Sequence, residues 1–157
     1  MVVLGVGNVL HGDDGVGVRA GRALEREGLP EGAAVYDMGT ALLDLPAEAG
    51  GCERVVIVDA VESGGEPGSV YRVELDAVEE ARAAPVSLHQ VGVREMLALC
   101  RLSGLDLGPA VLLGVEAADT SLCEGLSGPV RRTMPRLLEA VRNEMEAALA
   151  PPEEVGA

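Results

Sequence analysis

The sequence predicts an α/β fold: three layers, with helices on both faces of a mostly parallel sheet. Three observations point there. Residues 2–6 ("VVLGV") and 54–60 ("RVVIVDA") are continuous, largely β-branched runs, the pattern of strands buried on both faces. Between such runs lie stretches whose apolar residues recur at helical spacing. Polar loops rich in glycine and acid follow the strand-like runs, where open α/β sheets place their sites. At 157 residues the chain has room for one compact core, taken to be a single domain over 1–149 with a loose tail at 150–157.

Taken in order, the first strand covers 2–6. Val16, Ala20 and Leu24 then repeat every four residues and stop at Gly28, a helix with a glycine end. "AAVYD" (33–37) reads as a second buried strand, and a short helix is expected over 41–49, interrupted by Pro46. The third strand is 54–60. "GSVYRVEL" (68–75) follows a Gly/Pro turn and alternates, so it reads as a strand near an edge. In "SLHQVGVREMLALCRLSG", Ser87 and Gln90 stand at capping-box spacing before an apolar side that ends at Gly104. "AVLLGVE" (110–116) is a fifth strand. A last helix carries Val130, Met134, Leu137, Leu138, Val141 and Met145 on one stripe, with Pro135 bending its early turns.

Composition narrows the function. Twelve arginines face 26 acidic residues, a net charge of −14, and no basic patch is visible in the linear sequence. Nucleic acid and anionic membrane surfaces are therefore excluded as partners. No apolar run approaches the roughly 18 residues of a membrane span, and no leader pattern is seen. Cys52, Cys100 and Cys123 are odd in number and lack CxxC spacing, as expected of reduced thiols in a cytoplasmic protein. Asn8, Gln90 and Asn143 are the only side-chain amides, and the first two sit inside polar clusters.

Those clusters follow the strands: "GNVLHGDDG", "DMGT", "DAVESGG" and "EAADTS". They place Asp14, Asp37, Asp59 and Glu116 at or beyond strand carboxyl ends, and His89 in the first turn of a helix on the same rim. Two carboxylates and an imidazole form a set suited to a divalent metal. Plainer roles stand beside that one: Asp13 or Asp14 as a helix cap, Asp59 as a turn residue, His89 as a cap, His11 as a loop residue, Glu116 as a rim or supporting carboxylate. Asp37 suits structural support and substrate contact equally. Gly5 and Gly7 mimic half of a dinucleotide fingerprint, but Leu10 stands where the third glycine belongs, and two aspartates would face the pyrophosphate.

"GVGNVLHGDDGVGVR", "DMGT", "VDAVESG", "SLHQVG" and "LLGVE", in this order and spacing, resemble the hydrogenase maturation endopeptidases over residues 2 to 148. The resemblance implies a five-stranded mixed sheet of order 2-1-3-5-4 with strand 4 antiparallel. It implies an aspartic-type endopeptidase that removes the C-terminal extension of a nickel-loaded [NiFe] hydrogenase large-subunit precursor, the nickel in the precursor serving for recognition. The implied metal-contacting and catalytic residues are Asp14, Asp59 and His89, with Asp14 standing where the family often has the longer Glu. Asn8, Asp37, Gly39 and Gln90 are weaker candidates for substrate contact or support. In the isolated protein the site is then expected to be empty or adventitiously occupied. No G-x-S-x-G elbow, H-E-x-x-H motif or Cys/His pair argues for another protease mechanism. Two other readings remain: a non-catalytic nickel- or precursor-binding chaperone, and a metal-dependent hydrolase of a small molecule.

Overall fold

The computed structural model describes residues 1–40, 49–75, 100, 102, 104, 105 and 107–150. Five strands form one sheet: β1 (Val2–Val6), β2 (Ala34–Gly39), β3 (Val55–Val61), β4 (Val70–Glu74) and β5 (Ala110–Glu116), in the order β2-β1-β3-β5-β4. The β1–β2, β1–β3 and β3–β5 pairs are parallel, and β4 runs antiparallel to β5. Strand order and the antiparallel edge are those expected.

The central strands β1, β3 and β5 are buried at every position, as their unbroken apolar runs require. The edge place of β2 is the one the implied order gives, but its residues depart from their reading as a buried run. The strand lies at the sheet edge, so Ala34, Val35 and Tyr36 are half-buried and Asp37 is exposed. With one neighbouring strand instead of two, the same apolar run is only partly covered. The strand at 68–75 is the opposite edge, β4, where Tyr71 and Val73 pack on one core while Arg72 and Glu74 turn toward the other face.

Two helices cover one face of the sheet: α1 (Val16–Glu27) and α2 (Gly128–Leu149). Val16, Ala20 and Leu24 of α1 share a core with Val130, Leu137, Leu138, Val141 and Met145 of α2 and with Val56, Val58, Val111 and Leu113 of the sheet. Ser127 caps α2 with its hydroxyl on the Val130 N–H, and Pro135 lies inside the helix. The other face carries Leu4, Val6, Ile57 and Leu112 with Met38, Ala49, Cys100 and Leu107. The helices expected over 41–49 and from Ser87 fall wholly or mainly on residues outside the described set, as does the tail after 150. No helix among the described residues is long and apolar enough to cross a membrane.

The candidate active site

The site follows from where the β1–β3 ladder stops. Gly5 pairs with Val58, and beyond that pair β1 keeps only its β2 neighbour, Val6 beside Gly39, before its loop. Strand β3 continues, with Asp59, Ala60 and Val61 pairing only with Gly114, Val115 and Glu116 of β5. Asp59 therefore lies within the strand, not closing it as the sequence suggested, because a long β5 holds those three residues in extension. It sits at the switch point, where the chain leaves β1 toward β2 on one side and β3 on the other. Its side chain is fully buried, and one oxygen accepts the Ala60 N–H at 2.8 Å.

Glycines bring the first loop down onto that point. Gly7 has φ +117°, and a Cβ there would lie 1.7 Å from the Asp14 carbonyl oxygen, so only glycine lets the loop double back. A Cβ on Gly17 would lie 2.0 Å from the Val58 carbonyl, the peptide immediately before Asp59. The first turn of α1 thus seats directly on the β3 backbone beside the buried aspartate.

Asp13 and Asp14 share a short 3-10 turn, Gly12–Gly15, but have different tasks. Asp13 is fully buried. Its Oδ2 accepts the N–H groups of Ala118 and Asp119 at 2.9 and 3.0 Å, and its Oδ1 accepts that of Ser127 at 2.7 Å. It ties the β1 loop to the loop after β5 and to the start of α2. Asp14 is only partly buried, and its Oδ2 accepts the Asn8 N–H at 2.8 Å. Neither caps α1, whose N-cap is Gly15 without a side-chain bond. The capping role considered for them is therefore replaced by bonds reaching back within the loop and across to distant ones.

Asn8 and Gly39 line one cleft of about 230 Å³, together with Gly7, Arg22, Asp37 and Thr40. A bulge between Gly5 and Val6 sets Asp37 beside Gly5 and Gly39 beside Val6, and the Gly7 N–H donates to the Gly39 carbonyl at 2.8 Å. Arg22 grips Asp37 Oδ2 through Nη2 at 2.8 Å and Nε at 3.2 Å, while Oδ1 accepts the Gly39 N–H. Asp37 thereby supports the cleft wall. Arg22 was not anticipated; its signal was an arginine on α1 two turns beyond the acidic loop.

Glu116 is a buried support. It accepts N–H groups from Ser63 and Gly64 and the Ser63 hydroxyl, fixing the turn after β3. Burial pushes its carboxyl up, but these hydrogen bonds outweigh burial and hold it below the usual range. His11 stays a loop residue, its Nδ1 3.3 Å from the Thr120 carbonyl. Cys52 and Cys123 are free thiols, and Cys100 is buried. His89 and Gln90 lie outside the described residues; among the described ones, no three His, Cys, Asp or Glu side chains are grouped as for a metal ion. Asp14 thus stands on the connection after β1 and Asp59 inside the carboxyl half of the neighbouring β3; neither lines the cleft of about 230 Å³, to which Asp14 is linked through the Asn8 N–H.

The profile of the hydrogenase maturation protease family matches residues 18–144. The chain belongs to the hydrogenase maturation protease family. It is 36% identical over 146 residues to the hydrogenase expression/formation protein HupD of Rhizobium leguminosarum bv. viciae, covering 90% of this chain and 72% of that one. It is 34% identical over 152 residues to HupM of Azotobacter chroococcum mcd 1, covering 96% and 68%. In structure it resembles the hydrogenase maturating endopeptidase HybD from E. coli, with a TM-score of 0.81, 29% identity and coverage of 94% and 93%. The HybD protease from Thermococcus kodakarensis gives 0.78, 29%, 91% and 97%. As a member of this family the chain is a peptidase, and hence a hydrolase.

Proposed function

We propose that this peptidase removes the C-terminal extension of a [NiFe] hydrogenase large-subunit precursor after nickel has entered it, reading the nickel through Asp14, Asp59 and His89. The observation that supports this most is the pair of aspartates at the β1/β3 switch point of a maturation-protease fold. Carboxylate oxygens and an imidazole nitrogen suit a divalent first-row metal, and three protein donors leave positions for the precursor's own ligands. Nickel is thus part of the substrate. A metal beside the scissile peptide supplies Lewis acidity to its carbonyl or to a water. The chain's own share is positioning: Asp14 is oriented by the Asn8 N–H, Asp59 by the Ala60 N–H, and the wall by the Arg22–Asp37 pair.

The test is to mix the purified chain with nickel-loaded and nickel-free precursor and weigh the products by mass spectrometry. The loaded precursor should shorten to a single product and the nickel-free one should stay intact. Equal trimming of both would overturn nickel recognition.

A further inference from the structure

A groove of about 710 Å³ runs along α1 toward α2, outside the cleft that holds Asn8 and Asp37. Arg19, Arg22 and Arg26 line it from α1, with Ala23, Leu126 and Met134 as its apolar part and Glu25 as its one acid. No patch was visible in the linear sequence because these arginines are three and four residues apart; helical geometry stacks them on one side. Three of the twelve arginines here face one of the 26 acids, inverting the balance of a chain whose net charge is −14.

Two of these guanidiniums have no carboxylate partner among the described residues. Arg19 donates through Nη2 to the Val9 carbonyl at 3.2 Å, and its buried Nε has no hydrogen-bond partner. Arg26 donates through Nε to the Arg22 carbonyl of its own helix at 3.0 Å. Arg22 lines both the groove and the cleft, so the two adjoin at that residue. Charged donors beside apolar surface complement a segment carrying carboxylates among aliphatic side chains. The volume lies in the range of pockets that enclose small ligands. A nucleic-acid strand matches less well, because the rest of the molecule repels an extended polyanion.

We infer that this groove captures an acidic, aliphatic-bearing segment of the polypeptide processed at the adjoining cleft. The source of that segment rests on the function proposed above; the capture does not. The probe is a fluorescein-labelled octapeptide of alternating Glu and Leu, set against its Gln-for-Glu counterpart, with anisotropy measured on the full chain. The Glu peptide should bind about tenfold or more tighter than the Gln peptide, and lose that advantage as salt rises from about 50 to 300 mM. Arg26→Glu, whose side chain touches neither the Val9 loop nor Asp37, should remove most of the difference, and Arg19→Ala a large part of it, with circular dichroism unchanged. Equal binding of the two peptides, or binding indifferent to both substitutions in folded protein, would overturn the capture. So would equally tight binding of a single-stranded oligonucleotide, or a dimer in sedimentation that Arg26→Glu dissolves. If the Glu peptide binds as expected while nickel-loaded precursor is left uncut, the capture stands and the proposed function fails.

Discussion

Asp13 and Asp14 are adjacent in the chain, and the fold uses them in opposite ways. Asp13 is fully buried and receives three backbone N–H groups from two separate stretches, so its carboxylate is part of the framework. Asp13→Ala leaves three donors without that acceptor and should lower stability by about 2–4 kcal/mol in urea unfolding. Asp14→Asn keeps an oxygen for the Asn8 N–H and should change stability by less than about 1 kcal/mol, yet abolish precursor cleavage. A reversal, with Asp14 governing stability and Asp13 governing turnover, would undo this division. The adjacent pair was visible in the sequence, but its division was not. Which of two neighbouring carboxylates turns inward depends on where residues more than a hundred positions away bring their N–H groups.

Elements were the most legible scale, because one-dimensional period reports burial directly. The stripe Val16, Ala20, Leu24 became the buried side of α1, and the runs at 2–6 and 110–116 became β1 and β5 with the same bounds. Edge position was legible only through the resemblance: "AAVYD" has the composition of a central strand and lies outermost, since nothing local encodes the number of neighbours. Close approach was hidden too. Gly17→Ala puts a methyl 2.0 Å from the Val58 carbonyl, against backbone that cannot swing away. It should cost about 1–3 kcal/mol and reduce turnover through the displaced turn at Asp14, as thermal melts and cleavage rates would register.

A charge network joins the edge strand to the last helix. Glu144 of α2 accepts from Arg72 Nε at 2.5 Å and from Arg54 Nη2 at 3.0 Å, and Glu74 of β4 accepts from both arginines. Burial pushes the Glu144 and Glu74 carboxyls up, and the arginines outweigh it, holding both below the ordinary value of 4.5. Folded values depressed in this way contribute stability that is complete above pH about 4.5 and is lost as pH falls through them. Glu144→Gln should therefore cost about 1–2 kcal/mol near neutral pH, with its deficit against the parent chain shrinking below pH about 4. A deficit independent of pH would assign the effect to packing.

At the scale of the whole molecule, topology turns separated motifs into one rim. Order β2-β1-β3-β5-β4 was implied by the resemblance to the maturation endopeptidases, and it sets the loops after β1 and β3 side by side. Asp14 and Asp59 stood out as candidates in the sequence because acidic residues within or soon after apolar runs are conspicuous. The arginine groove was not, because net charge averages over faces that only the folded helix separates.

The most direct measurement of the central claim is cleavage of nickel-loaded precursor by Asp59→Asn, followed as the mass of the large subunit over time. Asp59→Asn preserves side-chain shape and an oxygen for the Ala60 N–H, so folding and melting temperature should stay near those of the parent chain. The account predicts precursor that remains full-length under conditions where the parent chain converts it completely. Conversion by folded Asp59→Asn at the parental rate would contradict it.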